Sequence, residues 1–434
     1  MEYLRFFIKA VKEITVGSKY YYMWLGFLGL FMFLGAVAYF RQLQTGLIVT
    51  AMRDQVSWGL YISNFTFLVG VAAAAVVLVV PAYLYNFKPI KEIAILGEML
   101  AVCAVILCIL FVMVDLGQPT RVWHILPFIG AMNFPSSLLA WDVVVLNGYL
   151  FINLSIFLYV LYRLSIGKEY SMQVIGPLIL LSIPWAVGIH TVTAFLYNGL
   201  AARPFWNASI LAPRFLASAF CSGPALMMIL FQIIRKVSRI DIDNKAIFKI
   251  AELVAYAMAI NLFLLGAELF KEFYSGTVHA AHVKYLYFGL HGNTSLVPWM
   301  WSASILNILA LLLFLNPKTR ENFLTLNAGC VFILIGIYIE KGMGLVVPGF
   351  VPAALGEIYD YSPTHTEILV TIGVWAFGAM LYTLMLKFAL PIYTGQLRFT
   401  SGGGSVAARD EEPLAVAREE FEFESTPRLS TQED

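Results

Sequence analysis

Ten stretches of roughly 20 mostly apolar residues recur along this chain, and a run of that length is what a helix needs to cross the hydrocarbon of a bilayer. They fall near residues 20–40, 57–86, 92–116, 141–164, 173–198, 208–236, 247–275, 297–316, 323–340 and 366–390. Lipid offers no hydrogen-bond partner to the backbone, so each run must satisfy its own peptide groups, which a helix does. The expected fold is therefore all-α: a polytopic integral membrane protein of about ten transmembrane helices. Composition agrees. The 434 residues are 60% hydrophobic and 13% charged, against about 45–50% and about 25% in soluble chains. That surplus of apolar residues cannot be hidden in one water-soluble core. A secreted module and a disordered scaffold are excluded. A formal net charge of +1 leaves no global field to hold nucleic acid.

Ten spans put both ends of the chain on one side. Connections on that side carry Arg5, Lys9, Lys12, Lys19, Lys88, Lys91, Arg163, Lys168, Arg235, Lys236, Arg239, Lys245, Lys249, Lys318 and Arg320. The opposite loops carry Arg41, Arg53, Arg121, Arg203, Arg214, Lys271, Lys284 and Lys341. Fifteen against eight places both termini in the cytoplasm by the positive-inside bias. The first run ends in Ala36-Val37-Ala38, which resembles a signal-peptidase site. It is long for a signal segment, so a retained helix is expected.

The chain then divides into an interfacial amphipathic helix (1–19), a first span with its outer loop (20–56), a core of eight spans (57–340), an outer loop with the last span (341–395) and a flexible acidic cytoplasmic tail (396–434). In the first of these, Tyr3, Leu4, Phe7, Ile8, Val11 and Ile14 recur at helical spacing opposite Arg5, Lys9 and Lys12, which suits a helix lying on membrane lipids.

Cysteine and histidine spacing says what the chain does not carry. Cys103, Cys108, Cys221 and Cys330 sit singly in apolar runs, with no C-x-x-C and no C-x-x-C-H. Neither an iron–sulfur cluster nor a c-type haem has its ligands. Only His190 lies clearly within a span, so a bis-histidine b-type haem is not expected either. His279, His282 and His291 share an outer loop but lack the carboxylate or thiolates that would complete a metal site.

Polar groups are unevenly placed. Tyr61, Asn64, Asp115, Asp142, His190 and Glu268 all fall in the outer halves of their spans, with Arg121, His124, Arg203, Trp206 and Asn207 in the adjoining loops. The inner halves hold chiefly Glu98 and Glu252. Ionisable groups inside a membrane are costly and mark functional paths. Singly, each has a structural explanation: Asp115 precedes the helix stop Leu116-Gly117-Gln118-Pro119, and Asp142 sits in a first helical turn, where a carboxylate suits the dipole. Together they suggest a pocket for a quinone, which needs hydrogen-bond partners at two oxygens and a group to exchange protons. Tyr61 and Asn64 suit one oxygen; His190, His124, Asp142 and Glu268 suit the other. Arg203 borders the same layer. Asp115 and Glu268, with Glu98 and Glu252, form a candidate proton pathway, although pairing of the last two with nearby lysines is the simpler expectation.

Several blocks resemble the NrfD/PsrC family of quinone-interacting membrane subunits. They are Trp58-Gly59-Leu60-Tyr61-Ile62 leading into Gly70-Val71-Ala72-Ala73, Asp115-Leu116-Gly117-Gln118-Pro119-Thr120-Arg121 with Trp123-His124, and His190-Thr191-Val192-Thr193 with Ala202-Arg203-Pro204-Phe205-Trp206. Ala212-Pro213-Arg214-Phe215, Ser222-Gly223 and Lys341-Gly342-Met343-Gly344 through Pro348-Gly349-Phe350 extend the likeness over residues 57–390. Leu355-Gly356-Glu357-Ile358-Tyr359 before the last helix is most similar to the DsrP type, found in DsrMKJOP complexes of sulfate reducers. The resemblance implies two four-helix bundles, spans 2–5 and 6–9, flanked by spans 1 and 10. It implies a menaquinone site near the outer face and no haem or iron–sulfur cluster in this chain. It also implies partners: a ferredoxin-like iron–sulfur subunit (DsrO-like), a multihaem cytochrome c (DsrJ-like), a cytochrome b (DsrM-like) and a cytoplasmic iron–sulfur subunit (DsrK-like). The family's quinone ligands are typically Asn, His and Tyr. Span 2 supplies Asn64 and Tyr61 but no histidine, so His190 and Asp142 stand in for it. A secondary transporter and a purely structural anchor are the competing readings; no matching pair of short broken helices supports the transporter.

Overall fold

The computed structural model describes residues 2–126, 129–238, 240–276, 280–353 and 356–398. The acidic tail and His279 lie outside the described residues, as do Leu355 and the side chains of Tyr3, Leu4, Arg5 and Phe7. Ten helices are long and apolar enough to span a membrane. They are Lys19–Thr45, Leu60–Leu84, Ala94–Asp115, Leu138–Ser165, Met172–Asn198, Leu211–Val237, Asn244–Ser275, Val297–Leu315, Phe323–Phe350 and His365–Tyr393, numbered here spans 1 to 10. No strand occurs among the described residues. The chain is thus an integral, multi-pass, all-α membrane protein. The side bearing its ends is called here the terminal side, and the opposite side the far side.

Local signals set where the helices begin. Ser18 and Ser137 cap spans 1 and 4 by accepting from the amides of Tyr21 and Ala140. Asp243 caps span 7 through Lys245, and Thr364 with Glu367 forms a reciprocal capping box on span 10. Each cap satisfies backbone donors that a helix end leaves free. Span 2 is interrupted: its α-helix ends at Ala72, restarts at Ala74 and finishes as a π-turn over Val80–Leu84.

Spans 2 to 5 close into one four-helix bundle, and spans 6 to 9 into a second. Spans 2 and 6 meet along the seam between them. Small residues line that crossing: a Cβ on Gly223 would lie 2.8 Å from Ala74 Cβ, and one on Gly70 would lie 3.2 Å from Ser222 Oγ. Lipid tails are as apolar as leucine, so helices gain by letting backbones approach closely. Spans 1 and 10 pair with each other, and span 10 rests on the first bundle. At their crossing a Cβ on Gly373 would lie 2.7 Å from Gly35 Cα, so neither position has room for a side chain.

Two stretches differ from expectation. Residues following Glu340 are not an exposed outer loop. Lys341 ends the helix of span 9 inside the protein, and Gly344–Val351 remain buried as two short helical turns. Trp206 Nε1 holds this re-entrant piece by donating to the Leu345 carbonyl at 2.8 Å. Arg214, assigned above to an outer loop, lies instead in the first turn of span 6 and is buried. The apolar run before Lys341 was ended at 340, and Arg214 was counted with the outer loop although its run began at 208, because a charge usually marks where water begins.

The helix Glu2–Thr15 sits at the terminal side against span 10. Tyr21 and Tyr22 of span 1 donate to the carbonyls of Ile14 and Thr15, at 2.8 and 2.6 Å.

Candidate functional site

The far half of the molecule holds four separate polar groups. The first lies in the first bundle. Asp142, buried in span 4, accepts a hydrogen bond from Thr193 Oγ1 of span 5 at 2.7 Å. One turn away on span 5, His190 is also buried, with Nδ1 2.7 Å from the Ala186 carbonyl. A carbonyl can only accept, so Nδ1 carries the proton and Nε2 carries a lone pair. Nε2 has no hydrogen-bond partner. The ring lines a narrow void on the bundle seam, about the size of one water molecule, together with Thr66, Gly70, Ser218, Ser222 and Lys341. Thr66 and Tyr197 hydroxyls, 2.5 Å apart, tie span 2 to span 5 beside it.

The second group joins spans 1, 2, 3 and 10. Tyr61 donates to Gln42 Oε1 at 2.7 Å, and Gln42 Nε2 donates to the Val114 carbonyl at 2.7 Å. Asp115 stands beside them within electrostatic reach of Tyr61 and Glu367, and its Oδ1 is buried without a partner. Glu367 accepts from the Ala51 amide at 2.8 Å and from the Tyr361 hydroxyl. Burial, and then the Glu367 carboxylate, push the Tyr361 phenol above its usual range, so it remains a donor throughout the physiological pH range.

The third group is Asn64. Its Oδ1 accepts from Trp375 Nε1 of span 10 at 2.8 Å and from the Tyr338 hydroxyl of span 9 at 3.1 Å. Its amide nitrogen donates to the Leu60 carbonyl at 2.7 Å.

The fourth group fills the far half of the second bundle and carries formal charge. Arg214 pairs with Glu268 of span 7 and, at 3.0 Å, with Glu340 of span 9. Lys341 lies 3.2 Å from the same Glu340 oxygen. Asn261 and Asn307 donate to its other oxygen at 3.3 and 3.0 Å. Two cations and two anions thus cancel in a region where one uncompensated charge would cost several kcal/mol, roughly 3–5 when a partner is lost. Beside them a second small void is lined by Arg214, Glu268 and Glu340 together with Phe205, Val283 and Tyr287.

These placements separate residues that were grouped above. Asp142, His190 and Thr193 come together. Tyr61 and Asn64 sit on other faces of span 2, each engaged by spans 1, 9 or 10. Glu268 belongs to the second bundle. His124 is exposed in the 3-10 turn Pro119–Ile125, its ring stacked near Trp123; it does not reach the buried groups. Arg203 lies in the loop before span 6, its guanidinium 5.0 Å from the Phe350 ring centre. Glu98 is buried near the terminal end of span 3, within electrostatic reach of Tyr83, Tyr149, Tyr170 and Tyr393, and pairs with no lysine among the described residues. Glu252 is half-exposed at the terminal side and bonds Lys249 at 3.1 Å and Tyr256 at 3.0 Å. That surface pair is not connected to the interior, so Glu252 does not continue a route through the bundle.

His282 is buried with Nδ1 2.9 Å from the Pro348 carbonyl, and His291 is exposed. Among the described residues no cluster of three or more His, Cys, Asp or Glu side chains is disposed to hold a metal.

Residues missed from sequence are Gln42, Arg214, Tyr338, Glu340, Lys341, Trp375 and the pair Asn261 and Asn307. One signal was available: Asn261 and Glu268 are seven residues apart, which places both on one helix face.

The fold and the buried polar layer define a polytopic, all-helical integral membrane protein. Residues 48–351 match the family model described as polysulphide reductase, NrfD, and the chain belongs to that family. Three relatives match over nearly their full length. A putative membrane subunit of dimethyl sulfoxide reductase from Halobacterium salinarum is 26% identical, covering 85% of this chain and 91% of its own. A selenate reductase subunit from Mesobacillus selenatarsenatis is 23% identical, with 87% and 95% covered. An Hdr-like menaquinol oxidoreductase integral membrane subunit from Archaeoglobus fulgidus is 24% identical, with 87% and 96% covered.

Proposed function

We propose that this chain is the quinone-interacting membrane subunit of a multi-subunit oxidoreductase, and that His190 takes up one of the two protons released when a quinol is oxidised. The single observation that carries this reading is the His190 ring. Its Nδ1 is committed to Ala186, and its Nε2 lone pair is unpartnered on the seam cavity. Such a nitrogen is a general base held in one tautomer. A bound menaquinol would supply two electrons and two protons. Asp142 of span 4, held by Thr193 one helical turn from His190 on span 5, compensates the imidazolium that forms. The Val69 carbonyl, facing the same ring, accepts from Nε2 once it is protonated. Menaquinone fits this donor set, and a relative is named as the integral membrane subunit of an Hdr-like menaquinol oxidoreductase.

Asp115, Glu98 and the Glu268 group supply further proton-holding positions in this reading. Tyr61 and Asn64 fix the far end of span 2, which carries Thr66 to the cavity. Both termini lie in the cytoplasm and the far side faces the periplasm: with Arg214 and Lys341 withdrawn into the membrane, the charge count becomes fifteen against six, a stronger bias than before. Electrons would leave to a periplasmic iron–sulfur subunit of the DsrO type, with DsrJ-, DsrM- and DsrK-like subunits completing a complex linked to sulfate reduction. The blocks quoted above support that assignment, together with relatives named as subunits of reductases and oxidoreductases.

The test is quenching of a fluorescent hydroxyquinoline N-oxide by the purified complex, for wild type and His190→Leu. Saturable quenching, weakened at least about tenfold by the substitution, is expected. Wild-type protein that quenches nothing, or a variant that binds and turns over as wild type, contradicts the proposal.

A further inference from the structure

The two far-side cavities meet at one residue pair. Lys341 lines the seam cavity with His190, and its neighbour Glu340 lines the cavity of the second bundle with Arg214 and Glu268. Buried polar atoms with unused hydrogen-bonding capacity gather at both: His190 Nε2 and Arg214 Nε have no partner, and Lys341 Nζ has only its ion pair with Glu340. Such atoms are rare in folded proteins, and where they cluster around a cavity they mark the positions where water or a transferred proton is held.

Lys341 has an unusual position for a membrane lysine. It does not reach an interface. It is 3% exposed, contacts only one oxygen of Glu340, and lies 5.8 Å from the Phe215 ring centre. Its other neighbours of titratable kind are Arg214 and Cys221. Lys341 is not the sole partner of Glu340, which Arg214 and two amides also bind. An ammonium has three donors, and the single Glu340 contact leaves donors directed elsewhere; the cavity it lines holds His190.

We infer that Lys341 is a proton-transferring residue that connects the His190 cavity to the Glu340–Arg214–Glu268 cluster across the seam between the bundles. This rests on the quinol reading above. In the step, an Nζ–H bond of the Lys341 ammonium breaks as its proton passes to the Glu340 carboxylate, 3.2 Å away. The imidazolium Nε2–H bond then breaks and that proton bonds to the neutral Nζ. His190 returns to neutral and Lys341 to its ammonium form, Glu340 holds the proton that has moved, and no electron is involved. From Glu340 the void of the second bundle extends toward Phe205, Val283 and Tyr287, and the inferred route runs in that direction, away from the chain ends.

Arginine separates this role from a structural one. Arg holds its charge throughout the accessible pH range and cannot pass through a neutral form, yet it would neutralise Glu340 as well as lysine does. The experiment compares wild type, Lys341→Arg and Lys341→Met in the assembled complex, measuring three quantities: thermal stability, binding of the hydroxyquinoline N-oxide probe, and quinol-linked electron transfer in hydrogen and deuterium water. Lys341→Arg is expected to match wild type in stability and probe binding, and to lose at least about tenfold in turnover with a larger solvent isotope effect. Lys341→Met should lose as much turnover. Wild-type turnover in Lys341→Arg would overturn the inference and leave Lys341 a counter-charge. Should Lys341→Met not assemble, the arginine variant alone decides. A wild-type complex that binds no probe would instead refute the quinol reading.

Discussion

The two bundles solve the problem of burying polar groups in opposite ways. The second gathers Arg214, Glu268, Glu340 and Lys341 into one cancelling cluster, with Asn261 and Asn307 on the remaining Glu340 oxygen. The first keeps its groups apart: Asp142 has one hydroxyl for company, His190 the carbonyls of Ala186 and Val69, and Glu98 tyrosines within electrostatic reach. A compensated cluster is held ionised by its own members, so it is rigid and expensive to disrupt. An isolated acid or base is free to gain or lose a proton at modest cost to the fold. The difference assigns scaffold and outlet to one bundle and chemistry to the other.

The comparison breaks most easily at Arg214. Arg214→Leu leaves Glu268 without its cation and should cost about 3–5 kcal/mol, seen as a lower unfolding temperature or failed assembly. An unchanged temperature would mean that the cluster is not the second bundle's support. Next comes Asp142→Asn, which keeps an oxygen for Thr193. Stability should change by no more than about 1 kcal/mol, while quinol-linked turnover falls roughly 10²-fold; equal turnover would move the chemistry elsewhere. Glu98→Gln should leave stability unchanged or raised by about 1 kcal/mol, because a lone buried carboxyl contributes desolvation without a partner. A large loss on thermal unfolding would reveal a partner for Glu98. Smallest is Glu252→Gln: the half-exposed pair with Lys249 is worth less than about 0.5 kcal/mol, and both unfolding and turnover should match wild type.

The same contrast explains what could be read from the residues alone. All ten spans were legible, since a run of apolar residues carries its own length requirement. So was the concentration of polar groups in one half, because depth follows from position along each run. Which of those groups face one another was not legible. Tyr61, Asn64 and Thr66 fall within six consecutive positions of span 2, yet they meet span 1, spans 9 and 10, and span 5 respectively. Helical rotation, set by packing against neighbours, decides that. Arg214 and Lys341 were misplaced for another reason. A charge at the edge of an apolar run is ordinarily at the water boundary, and only a countercharge from another helix, Glu268 or Glu340, allows it to lie inside.

The central claim is that a quinone head group meets His190 in the first bundle at the seam. Photolabelling of the assembled complex with an azido-naphthoquinone, followed by peptide mapping, tests it directly. The account predicts label on the span 2 and span 5 peptides containing Thr66 and His190, suppressed by excess unmodified menaquinone analogue. Label confined to spans 7 and 8, or label that excess analogue does not displace, would contradict it.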